Sequence, residues 1–265
     1  MAIGGAEDRE KDCVVLREFM RYAGGAKARI AVIATAVDPQ EKEALCLRYR
    51  QLLRGLGARR VDVICVSSRA DAQSEENVRI IAQATAIFFT GGNQIHISTH
   101  IGGSLLEEAI IKRWHGGVII AGTSAGAAMM SSSMLIGGRQ EKYPCSEAAI
   151  IGPGMGFLPD IVVIDTHFFP RGRIGRLIMA AGHYPQRISL GIDEDTAAVF
   201  DGDVMTVIGQ GSVIVIDVKD IGYSNIGYVE PDAAVTLTDM RLHVLAAGST
   251  YDMGTRQATG PQIHF

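Results

Sequence analysis

Val118-Ile119-Ile120-Ala121-Gly122-Thr123-Ser124-Ala125-Gly126-Ala127-Ala128-Met129-Met130 reads as a strand, a sharp Gly-x-Ser-x-Gly turn and the start of a helix. A serine on so tight a turn projects its hydroxyl beyond the sheet edge, and its small neighbours let the backbone approach closely. The first N–H groups of the helix have no intrahelical acceptor. They point at the space above the serine, which suits a developing oxyanion. The functional reading makes Ser124 a nucleophile. The plainer one is a strand-to-helix turn in a chain with 31 glycines.

Outward from this motif the first two-thirds of the chain alternates. Apolar strands at 29–35, 60–66 and 86–90 are separated by helices at 39–55, 74–84 and 104–113. Continuous apolar strands between helices predict an α/β fold with a mostly parallel sheet covered by helices on both faces. Such sheets bind ligands beyond the carboxyl ends of their strands. Gly91-Gly92-Asn93-Gln94 and the serine turn both fall at such ends. Strands at 161–166 and 188–192 flank a helix at 174–181. Short strands at 197–200, 204–208 and 212–218 follow, with Gly-rich turns. The last third therefore predicts an antiparallel extension of the same sheet, with room for a second small sheet. No linker, repeat or low-complexity tract interrupts residues 1–265, so a single domain is expected.

With 25 basic and 29 acidic residues the formal net charge is -4, which gives no footing for a nucleic-acid backbone or a membrane surface. No apolar stretch approaches the ~20 residues of a membrane span, and the N-terminus lacks a basic region followed by an apolar one. Cys13, Cys46, Cys65 and Cys145 form no C-x-x-C pair. Neither zinc nor a disulfide framework is expected, and free thiols suit a cytoplasmic location. No cofactor is implied.

A serine nucleophile needs a base, and the base needs an orienting acceptor. Of seven histidines, His167 ends a buried strand and so reaches the same rim as Ser124. His115 and His183 sit at helix ends, His243 in a strand and His264 at the C-terminus. His96 and His100 have the i, i+4 spacing of a metal pair but lack a third ligand on their own helix. Asp193-Glu194-Asp195 offers three acids after another apolar strand, and spacing does not choose among them. Arg173 and Arg176 share a helical face near Asp165. They read either as a pocket for an acidic group or as a solvated face with an ion pair. Gly91-Gly92 offers backbone donors to an oxyanion and Gln94 offers an amide to the substrate; the plainer reading is a helix start capped by Asn93.

GGAED (4–8), FFTGGNQ (88–94), GTSAGAAMM (122–130), DTHFFPRGRIGRL (165–177) and GIDEDTA (191–197) together resemble the cyanophycinases. These are serine peptidases related to the aspartyl dipeptidases and to the class I glutamine-amidotransferase folds. The run H-F-x-x-R-G-R-x-G-R-L is the most specific part, and beyond about residue 210 only pattern guides the reading. The resemblance implies a triad of Ser124, His167 and Glu194. It implies an oxyanion hole from the N–H groups of Gly92 and Ala125. Substrate contacts are implied from Gln94, Asp165, Thr166, Arg171, Arg173 and Arg176, with no metal.

The implied substrate is cyanophycin, a polyaspartate whose side chains carry arginine through isopeptide bonds, cut from a chain end to β-aspartyl-arginine. Its guanidinium and carboxylate groups match a site holding Asp165 and arginines. Family members are typically dimers. Thr166 stands where the family commonly has glutamine, which removes a long amide from the pocket and bears on substrate fit. The alternatives are an aspartyl or isoaspartyl dipeptidase with the same triad, a non-catalytic binding protein, or a carboxylic-ester hydrolase.

Overall fold

The computed structural model describes residues 1–36, 39–138 and 143–261. Five parallel strands form one half of a nine-stranded sheet: β1 (Ala2–Ile3), β2 (Arg29–Ile33), β3 (Arg60–Ile64), β4 (Ala86–Phe89) and β5 (Ile119–Thr123). Four antiparallel strands extend it: β10 (Thr196–Asp201), β11 (Val204–Gly209), β14 (Thr250–Asp252) and β15 (Gln257–Thr259). The order is β15-β14-β11-β10-β1-β5-β4-β2-β3.

Side chains alternate across the strands and bury both faces of the parallel half. Ile30, Val32, Ala86 and Phe88 pack against α1 (Val14–Tyr22) and α2 (Pro39–Gly55) through Leu16, Phe19, Tyr49 and Leu53. Their neighbours Ala31, Ile33, Ile87 and Phe89 face α3 (Glu75–Gln83), α4 (Gln94–Ile101) and α5 (Leu105–His115). Side-chain caps fix the helix starts. Ser74 accepts from Asn77 N–H, Asn93 from Ile95 N–H and Ser104 from Glu107 N–H.

A second sheet has the order β13-β12-β9-β8, from β8 (Val162–Thr166), β9 (Ile188–Ile192), β12 (Ser212–Asp217) and β13 (Arg241–Ala246). β8 and β9 are parallel, joined by α7 (Ile174–His183); the other pairs are antiparallel. Val213, Val215 and Leu190 turn toward the first sheet, whereas Ile214 and Ile216 pack on Leu177 and Ala181 of α7. The short helix α6 (Ala125–Ala128) follows β5, and a hairpin of β6 (Ser133–Gly137) and β7 (Ile150–Pro153) lies between α6 and β8.

The expected layers are present, and the antiparallel third divides between an extension of the first sheet and a separate second one. Strands β2 and β3 end at Ile33 and Ile64, two residues before their apolar runs do. The expected elements do not include β1, α1, the β6–β7 hairpin, β14 or β15. β1 is only two residues long and shows no period, yet it lies between parallel β5 and antiparallel β10. α1 did carry a signal: Val15, Leu16, Phe19 and Met20 are buried at helical spacing. Among the described residues no helix is long and apolar enough to cross a membrane.

Candidate active site

β5 delivers Ser124 to the rim. The residue has φ 53° and ψ −112°, a strained conformation held by the strand before it and the helix after it. Its N–H donates to Ile3 O at 2.9 Å. The flanking glycines are required by packing: a Cβ on Gly122 would lie 2.0 Å from Gly126 O, and one on Gly126 2.4 Å from Phe89 O. The backbone thus fixes the direction in which the Ser124 side chain leaves the rim.

β8 ends one residue before His167, whose backbone also has positive φ, at 50°. Its Nε2 is 2.9 Å from Ser124 Oγ, and its Nδ1 is 2.6 Å from Glu194 Oε1. A carboxylate only accepts, so Nδ1 carries the proton and Nε2 is left to accept from the serine hydroxyl. The imidazole is largely buried and Glu194 partly exposed.

The neighbouring acids have other partners. Asp193 accepts from Phe169 N–H at 3.0 Å and from the Ser212 hydroxyl at 3.1 Å, tying the exit of β8 to β12. Asp195 accepts from Asp8 N–H at 2.8 Å. Of the three acids, Glu194 alone is hydrogen-bonded to the imidazole.

Ala125 N–H opens α6, where a helix leaves its first donors without intrahelical acceptors. Gly91 lies against the serine, since a Cβ there would fall 3.8 Å from Ser124 Oγ. Gly92, at φ +135°, has its open side against Ala36 O. Gly92 and Ala125 both line a cavity of about 270 Å³ that starts at Ser124.

The same cavity holds Gln94, Asp165, Thr166, Arg171, Arg173 and Arg176. Asp165 is almost fully buried. It accepts from Arg173 Nη1 at 3.1 Å, from Arg176 Nε at 2.8 Å and from Arg176 Nη2. Arg173 Nη1 also donates to Thr166 O at 2.5 Å. Burial outweighs Asp165 and lowers the Arg173 pKa from its usual value. The arginines are thus not a solvated helix face. Nor is Asp165 a free receptor for a substrate guanidinium, because its carboxylate already bridges two cations. Arg171 has no side-chain partner among the described residues. Three cations against one carboxylate give this cavity a net positive charge, which suits an acidic group. Gln94 Nε2 donates to Leu135 O at 2.6 Å, so the amide is positioned by the β6–β7 hairpin. Thr166 is buried at the cavity wall.

One residue that braces the site has no role in the sequence analysis. Glu7, inside the quoted GGAED segment, has a side chain with no exposed surface. It accepts from Thr123 Oγ1 at 2.5 Å, from Tyr49 OH at 2.8 Å and from Arg9 Nη2 at 2.8 Å. It thereby braces the residue before Ser124 against α2. Burial, reinforced by the Glu7 charge, pushes the Tyr49 phenol well above its ordinary pKa. Two adjacent acids, Glu7 and Asp8, directly after Gly4-Gly5-Ala6 were the available signal.

The other histidines are elsewhere. His115 and His183 end α5 and α7, and His243 is on β13. His264 lies outside the described residues. His96 and His100 stack on each other with ring centroids 5.8 Å apart. Among the described residues no cluster of three or more His, Cys, Asp or Glu side chains is arranged to hold a metal.

The sequence profile described as Peptidase family S51 matches residues 1–208. A cyanophycinase of Synechococcus elongatus is 38% identical over 259 residues, covering 97% of this chain and 80% of the relative. Cyanophycinases of Geminocystis herdmanii and a Nostoc species are 36% and 34% identical, covering 97% and 100% of this chain and 94% and 88% of theirs. The similarity thus runs well past residue 210. A peptidase from an acI-B1 actinobacterium superposes with a TM-score of 0.71 over 94% of each chain at 22% identity. A putative peptidase E of Listeria monocytogenes does so with a TM-score of 0.53 at 17% identity, over 78% of this chain and 96% of its own. These two solved structures share the fold.

Proposed function

The chain belongs to peptidase family S51 and is a serine-type peptidase, and from that premise we propose that it hydrolyses cyanophycin to β-aspartyl-arginine through a Ser124–His167–Glu194 triad. The observation that carries the reading is the unbroken hydrogen-bond chain from Ser124 Oγ through His167 to Glu194 Oε1, at 2.9 and 2.6 Å.

His167 Nε2 takes the hydroxyl proton as Oγ attacks the backbone carbonyl carbon of an aspartyl unit. The oxyanion is received by N–H groups at Ala125 and the Gly91-Gly92 turn, each such donor being worth about 3 kcal/mol of barrier. Collapse breaks the C–N bond, and the amine leaves with the proton from Nε2. Water then attacks the acyl-enzyme, gives a proton to Nε2, and Ser124 departs as the hydroxyl. Glu194 keeps the imidazole in the competent tautomer and stabilises its cationic form.

The arginine-rich cavity favours an acyl unit bearing carboxylates, such as the free carboxylate of an isopeptide-linked arginine. The test is incubation with purified cyanophycin and mass analysis of the products. The expected result is β-aspartyl-arginine from the native protein and none from Ser124→Ala. Undiminished release by Ser124→Ala overturns the triad.

A second reading is supported by Thr166, whose short side chain replaces the family's common glutamine at the cavity wall. In that reading the substrate is a smaller aspartyl or isoaspartyl dipeptide. A panel of Asp-X and β-Asp-X dipeptides run beside the polymer separates the two by their kcat/KM values.

A further inference from the structure

Two cavities meet at Ser124. The second, of about 320 Å³, shares Ser124 and Gly92 with the first but none of Asp165, Arg171, Arg173 and Arg176, and includes His167, Tyr49, Leu45, Glu41 and Arg9. Among the described residues His167 lines this cavity and not the arginine-rich one. In acyl transfer to a serine the imidazole must reach the departing nitrogen to protonate it. The amine half of the substrate therefore leaves through the His167 side, and the acyl half occupies the arginine-rich side.

The two sides differ in charge. Arg9 is already committed: its guanidinium donates to Glu7 at 2.8 Å and to Tyr49 OH at 2.8 Å, and lies 4.9 Å from the Tyr49 ring centroid. Its charge is balanced by the fully buried Glu7. Glu41, in the first turn of α2, is exposed and has no hydrogen-bond or ion-pair partner among the described residues. Among the described residues, the one unbalanced charge of this cavity is thus a carboxylate, beside the half-buried Leu45 and the Tyr49 ring.

We propose that this cavity is the leaving-group subsite and that Glu41 selects a guanidinium-bearing side chain on the unit released as the amine. The inference rests on the hydrolytic reading of Ser124. An arginine chain there lays its methylene stem along Leu45 and Tyr49 and brings its head to Glu41. Each unit of the polymer carries both a carboxylate and a guanidinium, and the two cavities then read different ends of it, carboxylate on the acyl side and guanidinium on the amine side. Glu41 is a specificity residue with no part in moving the proton.

The test uses two synthetic two-unit substrates that share the same β-arginyl-aspartyl acyl unit. The leaving unit carries arginine in one and the neutral isostere citrulline in the other. The native enzyme is expected to prefer the arginyl leaving unit in kcat/KM by about three- to tenfold, the range of a partly exposed charge pair. Glu41→Gln should bring the ratio near one, and Glu41→Lys should invert it. A ratio near one in the native enzyme, or a ratio unchanged in both variants, overturns the subsite. If the native enzyme cleaves neither substrate and a fluorophosphonate does not label Ser124, the hydrolytic reading itself has failed and the subsite falls with it.

Discussion

The nine-stranded sheet and the four-stranded sheet each supply part of the site, and they do so in different ways. The first places Ser124 and the Gly91-Gly92 turn at the ends of adjacent parallel strands, β5 and β4. The position of each is set by the strand, turn and helix immediately around it. The second places His167 and Glu194, 27 residues apart, beyond the ends of β8 and β9, which pair in parallel through Thr166 and Ile192.

Neither sheet alone fixes the 2.9 Å from Ser124 Oγ to His167 Nε2. Residues 3–8 span the gap. Ile3 O accepts from Ser124 N–H, Gly4 O from His167 N–H and Gly5 O from Asp195 N–H, at 2.9, 2.8 and 2.9 Å. A site divided between two packed layers needs a third segment to hold their separation. Here that segment is the N-terminal turn.

Removing one sheet's contribution should have the largest effect. His167→Ala is expected to lower kcat on the order of 10⁴- to 10⁶-fold, as far as Ser124→Ala does, because triad groups act as a unit. Single-turnover hydrolysis measures it, and a much smaller loss would leave the second sheet without a chemical role.

The spanning segment comes next. Gly5 has φ +101°, and a Cβ there would lie 2.3 Å from His167 Cε1. Gly5→Ala should displace the ring by about 1 Å and cost on the order of 10²-fold in kcat. Retained kcat would show that the two layers hold their spacing unaided.

Asp165→Asn should act on stability more than on chemistry. It leaves Arg173 and Arg176, each little exposed, facing one another without their carboxylate. The expected loss is about 3 kcal/mol, read by urea denaturation. An equal loss on mutating an exposed pair such as Arg79–Glu75 would remove the distinction.

The smallest effect is a pH dependence in the spanning segment. Backbone N–H groups of Cys13, Glu10 and Lys11 hold the Asp8 pKa down, to about 2 from an ordinary 3.8. A depressed carboxylate stabilises the fold above its unfolded pKa and loses that contribution as pH falls, here from about 4 to 2. Denaturation midpoints of the native protein and Asp8→Ala should therefore converge over that range. A constant difference between them would show that the Asp8 carboxylate makes no titratable contribution.

Much of the first sheet was legible because its determinants are local. The β-branched runs, the capping residues Ser74, Asn93 and Ser104, and the Gly-x-Ser-x-Gly turn each act within a few residues. The second sheet was legible as strands and as room for a second small layer, but not which strands it takes, because pairing with β12 and β13 depends on packing across long separations. Asp165 shows the limit. Its reading stayed open between a substrate pocket and an ion pair, and its position on β8 beneath α7 is what pairs it with Arg173 and Arg176.

Sequence by itself determined the α/β class, the strained serine turn and the set of polar residues carried to one rim. Spacing left three consecutive acids open; the resemblance pointed to Glu194, and only the tertiary structure shows why it is the one that meets His167. Successive residues leaving a strand point in different directions, and each finds a partner distant in sequence. Asp193 meets Ser212, Asp195 meets Asp8 and Glu194 meets the imidazole. No local preference distinguishes the three; the packing of one sheet on the other does.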